Sequence, residues 1–279
     1  MENGDQVNEP AAVHPKPVDL AEAQRLTQER LGIESAPESD GPERLPTLLK
    51  FQLAEKTPEQ WEEIRIRREA EEHEAKRRDI FTKLRALKRD TGDRLDPLKT
   101  ATLDGYEIYD SVQKATVARV REYVETIEAR FESGDGVFLI GPPGTGKDHL
   151  AVAICREGVI RLQVSARWLD DSTLRSELRD AMNSAKDEKR VLGHYLRAGF
   201  LVLSDPVAPG ASLSDYQAEA LGRLIDGRWR ARRPTLVTAN FAGEEDAAAK
   251  LGSHVVDRLS QGSIRLRCQW ESYRRRGKT

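Results

Sequence analysis

The fold of this chain is decided by VFLIGPPGTGKDHL, residues 137–150. Four apolar residues lead into a glycine-rich loop that ends in Lys147, and a helical pattern follows. This order is the phosphate-binding loop G-x-x-x-x-G-K between a strand and a helix, the context that the motif requires. Glycines let the backbone approach the phosphates, and the start of the helix directs partial positive charge at them. The stretch therefore predicts nucleotide binding, with Lys147 at the β and γ phosphates.

The predicted nucleotide contacts are the loop and the residue after it: Gly141, Pro142, Pro143, Gly144, Thr145, Gly146, Lys147 and Asp148. A Ser or Thr normally follows the lysine and holds Mg²⁺. Asp148 stands there instead. A carboxylate can also ligate magnesium, but it adds negative charge beside a polyphosphate. We therefore expect nucleotide binding together with slow hydrolysis.

The composition narrows the class of protein. The 279 residues are enough for one α/β domain and an extension. A net charge of -2 excludes a globally basic nucleic-acid binder, although local basic patches remain. Cys155 and Cys268 lack CxxC spacing, which argues against a zinc site or a disulfide framework. Because the chain has no signal-peptide pattern and no apolar run of transmembrane length, we expect a cytoplasmic protein without a membrane partner.

Three segments are expected along the chain. Prolines among polar residues predict a flexible arm over 1–46, in which 18–33 is either a short partner-docking helix or a marginal helix in a tail. Residues 47–100 form a charged helical extension, because opposite charges recur three and four residues apart. This extension is either a partner-binding helix or a solvated spacer. Residues 101–279 form the core.

Strands and helices alternate in the core. Apolar runs predict strands at 137–140, 159–164, 198–205, 234–240 and 264–268, and helical patterns lie within 103–131, 170–185 and 212–233. Such alternation is typical of an α/β fold with a mostly parallel sheet and helices on both faces. The expected fold class is a P-loop NTPase with five strands. Functional groups should gather at the carboxyl ends of the strands.

Polar residues follow three of these strands: the phosphate loop (residues 141–147), Ser204 with Asp205, and Asn240. P-loop ATPases place an acidic residue beside the magnesium ion, and an acidic or amide side chain orients the attacking water. Asn240 suits a sensor of the γ-phosphate. The sequence thus predicts Asp148 as a residue able to ligate magnesium, Asp205 as the acidic residue at this edge, and Asn240 as a catalytic sensor.

Four segments of the chain carry a family resemblance: GPPGTGKDHLAVAI, RRPTLVTAN, LGSHVVDRL and WESYR. In this order and spacing they resemble the DnaC-type replicative helicase loaders and, more loosely, the IstB-type transposition ATPases, both of the AAA+ class. The resemblance covers residues 103–276. It implies ATP with Mg²⁺ as cofactors, Asn240 as the first sensor and Arg258 as an arginine finger that enters a neighbouring subunit. It also implies a homo-oligomer, single-stranded DNA and a replicative helicase as partners.

The chain departs from the family pattern at the paired acids. They align with Ser204 and Asp205, and Pro206 follows. Either Ser204 occupies the magnesium position and Asp205 activates water, or Asp205 holds magnesium and Pro206 leaves no base. Both registers predict slow hydrolysis. His254 also stands where relatives often have a second arginine.

A basic cluster around Trp229 is a candidate DNA contact. Its members are Arg228, Arg230, Arg232 and Arg233. Basic side chains bind phosphates and an aromatic ring can stack on a base, but such a cluster also suits a solvated helix end. Three functions remain open at this point: a helicase loader, an IstB-like transposition ATPase on duplex DNA, and an ATP-gated adaptor with little hydrolysis.

Overall fold

The computed structural model describes residues 57–92, 95–183, 191–208 and 210–276. The predicted arm over 1–46 and the predicted helix at 18–33 lie outside these residues. Within the described ranges, no helix is both long and apolar enough to cross a membrane.

Five parallel strands form one sheet in the order β2-β3-β4-β1-β5. The strands are β1 (Val137–Ile140), β2 (Ala166–Asp170), β3 (Phe200–Ser204), β4 (Thr235–Ala239) and β5 (Ile264–Arg267). Because β4 lies between β1 and β3, the residues after these three strands meet at one edge of the sheet. The expected α/β P-loop fold with a five-stranded parallel sheet is confirmed.

Helices cover both faces of the sheet. The helices, in chain order, are α1 (Pro58–Thr91), α2 (Ser111–Glu125), α3 (Ile127–Ser133), α4 (Lys147–Leu162), α5 (Asp171–Asn183), α6 (Gly193–Arg197), α7 (Asp215–Arg230), α8 (Glu244–Leu251), α9 (Ser253–Ser260) and α10 (Tyr273–Arg276). Side chains alternate along a strand, so β1 places Val137 and Leu139 in one apolar cluster and Phe138 and Ile140 in another on the opposite face. The core therefore has two layers that fix the sheet from both sides.

The prediction of a strand at 159–164 is wrong. Residues 159–162 continue helix α4, which ends where Gln163 adopts a left-handed conformation with φ 54°. Cys155, Val159 and Leu162 follow one another at helical spacing, and Gly158 lets the helix lie directly on the Phe200 ring. A short apolar run fits a strand or a buried helix equally well, and here the close packing of the helix decides. The second strand is residues 166–170 instead.

Helix α1 ends inside the core. Leu84 and Leu87 are buried in the same apolar cluster as α2 and α4, whereas Ile66 and Phe81 are exposed. Asp90 forms an ion pair with Arg167 of β2 at 3.3 Å. The last turns of this charged helix are therefore part of the apolar core, while most of its earlier side chains face solvent.

Candidate functional site

The phosphate loop connects β1 to α4 through glycines that a larger residue could not replace. Gly144 and Gly146 have φ of 84° and 83°, in the left-handed region that favours glycine. A Cβ at Gly144 would collide with Ser272, and a Cβ at Gly146 would collide with the ring of Tyr106. The loop is therefore enclosed by segments before and after it in the chain.

Two aromatic side chains hold the same carbonyl of the loop. The Tyr106 hydroxyl and the Trp270 Nε1 group donate to the Thr145 carbonyl at 2.8 and 2.9 Å. The backbone N–H of Tyr273 donates to the Gly144 carbonyl at 2.9 Å. Since Tyr106 and Trp270 are both buried, these bonds fix the conformation of the loop before any ligand arrives.

Replacing Trp270 with phenylalanine should loosen the loop. The variant keeps an aromatic ring in the core but loses one of two hydrogen bonds to Thr145. We expect nucleotide affinity to fall severalfold and the free energy of unfolding to fall by about 1 kcal/mol. Fluorescent nucleotide titration and chemical denaturation measure these changes. Trp229→Phe is the matched control because Trp229 is 37% exposed, and an equal loss of affinity in that variant would contradict the assigned role of Trp270.

Lys147 lies in the centre of the site. Its Nζ donates to the carbonyls of Gly141 and Pro142, each at 2.8 Å, and to Asn240 Oδ1 at 3.0 Å. The side chain is buried, and burial lowers its pKa, while the carboxylates of Asp205 and Asp148 act in the opposite direction. The ammonium group is thus held at the end of β1 and in contact with the end of β4.

Asp205 and Asn240 form a second unit at the edge of the sheet. The two carboxylate oxygens of Asp205 accept from the Asn240 backbone N–H and from Asn240 Nδ2, both at 3.0 Å. Asp205 has φ 40°, which costs a non-glycine residue about 1–3 kcal/mol and often marks a functional position. Burial raises the pKa of Asp205, and the charge of Asp148 raises it further. The Asp205 carboxylate is therefore held against Asn240 by two hydrogen bonds.

Asp148 and Ser204 face each other across the site. Ser204 Oγ donates to Asp148 Oδ1 at 3.1 Å, and Thr238 Oγ1 donates to the same oxygen at 2.5 Å. Ser204 and Thr238 are paired in the β3–β4 register, so the two hydroxyls lie side by side. Asp148 is thereby joined to the end of β3, immediately before Asp205.

The oxygen groups at this edge suit a magnesium ion. Mg²⁺ prefers oxygen ligands, keeps several waters, and usually takes only one or two groups from the protein. Asp148, Ser204 and Asp205 offer carboxylate and hydroxyl oxygens of this kind. Across the described ranges, no group of three or more His, Cys, Asp or Glu side chains is arranged to hold a metal ion. A magnesium site here would therefore depend on phosphate and water oxygens as well.

Arg258 does not join this cluster. It lies on α9, with its guanidinium carbon 3.9 Å from the centre of the Trp229 ring and its Nε 3.5 Å from Asp226 Oδ1. His254 lies 3.4 Å from the same Asp226 oxygen. The Arg258 side chain is 34% exposed. This position is open to solvent on one side, as a residue acting on a neighbouring subunit needs.

The interpretation of Arg228 as a DNA contact is wrong. Its side chain is fully buried and donates to one hydroxyl and four backbone carbonyls, on Thr235, Tyr195, Ala198, Gly199 and Pro234. Burial, and after it the charge of Arg233, lowers the pKa of Arg228 to about 9. Arg228 therefore ties α7 to the starts of β3 and β4. Arg230 and Arg232 remain exposed.

Sequence reasoning missed four residues of the site. Tyr106, Trp270 and Thr238 hold the loop and Asp148, and the charge of Arg274 contributes to lowering the pKa of Lys147. Thr238 is two positions before Asn240 in the strand predicted at 234–240, so the alternation of side chains would have placed both on one face. The other three are far from the loop in sequence, and only the WESYR segment pointed to Trp270 and Arg274.

Known proteins share this architecture. The replicative helicase loader DnaC of Escherichia coli (strain K12) is 29% identical over 180 residues, which are 64% of this chain and 71% of the loader. A crystal structure of the DnaC helicase loader covers 61% of this chain and 97% of its own, with a TM-score of 0.55 and 28% identity. These likenesses place the chain in the AAA+ class of P-loop proteins.

A second group of relatives comes from mobile elements. An insertion sequence ATP-binding protein of Sinorhizobium fredii is 30% identical over 248 residues, covering 84% of this chain and 76% of the relative. The family model described as IstB-like ATP binding protein matches residues 75–279. With its phosphate loop and parallel sheet, the chain therefore belongs to the family of IstB-like ATP binding proteins.

Proposed function

We propose that this ATP-binding protein assembles on single-stranded DNA with ATP and loads a replicative helicase there. The observation that carries the proposal is the meeting of Lys147, Asp205 and Asn240 at one edge of the sheet, in a chain 29% identical to a replicative helicase loader. Loading requires ATP-dependent assembly more than rapid turnover, which suits a site with altered acidic positions.

Each residue of the site has a separate role in ATP hydrolysis. The phosphate loop and Lys147 bind the β and γ phosphates and hold the terminal phosphate in line for attack. Asn240 contacts both Lys147 and Asp205. It can therefore sense the γ-phosphate and at the same time orient Asp205. Asp205 orients the attacking water and accepts its proton. Bound Mg²⁺ supplies positive charge that offsets the charge of the phosphates, and Asp148, Ser204 and Asp205 are the residues available to hold it.

Arg258 completes the site of a neighbouring subunit. A cation supplied in trans stabilises the charge that develops on the transferred phosphate, and this effect is often large. In the single chain, Trp229 and Asp226 hold the Arg258 side chain. The protein would then hydrolyse ATP only after assembly, which couples turnover to the formation of a homo-oligomer.

Steady-state ATP hydrolysis with single-stranded DNA, with duplex DNA and without DNA tests this function. We expect slow basal turnover that rises at least severalfold with single-stranded DNA, and we expect the ATP-bound protein to retain the replicative helicase of the same organism on an affinity resin. Salt should weaken the stimulation, because phosphate contacts release counterions. Stimulation by single-stranded DNA without helicase retention would contradict the loader role.

The IstB-like transposition ATPase is the second candidate. It is favoured by the insertion sequence relative, whose similarity extends over 84% of this chain. On this function the protein assembles on duplex DNA and recruits a transposase. Preferential stimulation by duplex DNA would support it, while ATP binding without turnover under every condition would instead indicate an ATP-gated adaptor.

A further inference from the structure

At two positions of this site, each residue is of the type expected at the other position. In P-loop ATPases, the residue after the loop lysine is a Ser or Thr whose hydroxyl ligates Mg²⁺, and a strand across the site supplies an Asp. Here Asp148 occupies the loop position and Ser204 ends the strand β3. The pair still consists of one carboxylate and one hydroxyl, and it still carries one negative charge.

The two side chains are in direct contact, as the exchange requires. Ser204 Oγ donates to Asp148 Oδ1 at 3.1 Å, although 56 positions separate them in the sequence. The hydroxyl is buried, with Ser204 only 6% exposed, whereas Asp148 is partly exposed. A carboxylate introduced at position 204 alone would therefore face Asp148, and a hydroxyl introduced at position 148 alone would face Ser204.

Thr238 keeps Asp148 in one orientation. It is fully buried, and its Oγ1 donates to the same Oδ1 atom at 2.5 Å. Asp148 Oδ1 thus receives two hydroxyl hydrogens. Within the part of the chain that the structure describes, Oδ2 has no hydrogen-bond partner. The carboxylate therefore has one oxygen fixed by the protein and one oxygen available to a cation.

The second carboxylate of the site, Asp205, contacts Asn240 instead. Both of its carboxylate oxygens accept hydrogen bonds from Asn240, at 3.0 Å each. Each Asp205 oxygen thus already has a hydrogen-bond partner, whereas Asp148 Oδ2 has none among the described residues. Asp148 can bind a cation without releasing Ser204 or Thr238. Of the two carboxylates, Asp148 is therefore the better placed to bind a cation, whereas Asp205 is held by Asn240.

We propose that Asp148 and Ser204 have exchanged roles, so that the loop supplies the carboxylate ligand of Mg²⁺ and β3 supplies the hydroxyl, with Thr238 as a positioning residue. Asp205 then does not ligate the cation, and its oxygens, each of which accepts one hydrogen bond from Asn240, keep lone pairs that can accept from the attacking water. This inference rests only on the proposed binding of ATP with Mg²⁺ and is independent of DNA and of a helicase.

A double-mutant cycle tests the exchange. The affinity for a fluorescent ATP analogue is measured with Mg²⁺ and with EDTA for the full-length protein, Asp148→Thr, Ser204→Asp and the double variant. The gain in affinity from Mg²⁺ should fall on the order of tenfold or more in Asp148→Thr, which has no carboxylate, and in Ser204→Asp, which has two in contact. The double variant restores one of each group and should recover the gain to within about threefold of the original.

Controls separate this effect from misfolding. The Mg²⁺ gain is the ratio of two affinities of the same variant, so a change in metal-free affinity cancels, and the midpoint of thermal unfolding shows whether each variant is folded. Asp148→Asn keeps the shape of the side chain and removes its charge, so it should lose the Mg²⁺ gain even if Asp148→Thr folds poorly. Thr238→Val should reduce the gain severalfold, and Thr238→Ser, which keeps the hydroxyl, should restore it.

The outcomes distinguish this inference from the proposed function. Single variants that keep the full Mg²⁺ gain, or a double variant whose losses simply add, would overturn the exchange while leaving ATP binding intact. Failure of the unmodified protein to bind the analogue with Mg²⁺ would overturn both. Loss in each single variant with recovery in the double variant is the expected result.

Discussion

Replacing Lys147 with alanine should reduce ATP turnover by about 10²–10³-fold, the loss typical when one preorganised charge-stabilising group is removed from an active site. The ammonium group is buried and donates to two loop carbonyls and to Asn240. Its removal takes away positive charge and the hydrogen bond that joins the phosphate loop to Asn240. Steady-state hydrolysis and nucleotide titration measure the effect. Lys114→Ala, an exposed position on α2, is the control and should retain full turnover.

A mixture of the Lys147→Ala and Arg258→Ala variants tests whether Arg258 acts on the site of a neighbouring subunit. Lys147→Ala retains Arg258, and Arg258→Ala retains the phosphate loop, so a mixed oligomer contains some interfaces with both groups intact. We expect partial recovery of turnover on mixing, because the finger acts on the neighbouring subunit. No recovery despite co-assembly would show that Arg258 does not act in trans, and Lys147→Ala with normal turnover would remove the phosphate loop from the catalytic site.

Arg228→Met should lower the free energy of unfolding by about 3–5 kcal/mol, the range for breaking a buried charged network. Methionine fills a similar volume, but the carbonyls that accept from Arg228 lose their donors while remaining buried. Each buried acceptor left without a donor costs about 1–3 kcal/mol unless water enters. Chemical denaturation followed by circular dichroism gives the change directly.

Arg230→Met is the matched control for this prediction. Arg230 lies two positions further on α7, its side chain is 75% exposed, and its only recorded ion pair among the described residues is with Asp226 at 4.0 Å. We expect a change within about 0.5 kcal/mol. Equal stability of the two variants would contradict the structural role assigned to Arg228. A loss of DNA binding in Arg228→Met without a loss of stability would restore the earlier interpretation.

Local sequence patterns were sufficient to predict most of the architecture. The phosphate loop, four of the five strands and the helix at 212–233 follow from glycine spacing and from apolar periodicity, since both depend on neighbours in the chain. The strand predicted at 159–164 failed because the short segment VIRLQV fits the period of a strand and that of a helix. The contact between Gly158 and Phe200 settles that segment, and the two residues are far apart in sequence.

The residues of the candidate site were likewise predicted only in part from the sequence. The sequence by itself determined a nucleotide-binding loop around Lys147, and it pointed to Asp205 and Asn240, because carboxyl ends of parallel strands share one edge. Only the tertiary structure decided which carboxylate faces which partner: Asp148 meets Ser204, whereas Asp205 meets Asn240. It also decided that Arg228 is structural. The reason is physical: these pairings depend on strand register and on burial, which arise when segments distant in sequence pack together.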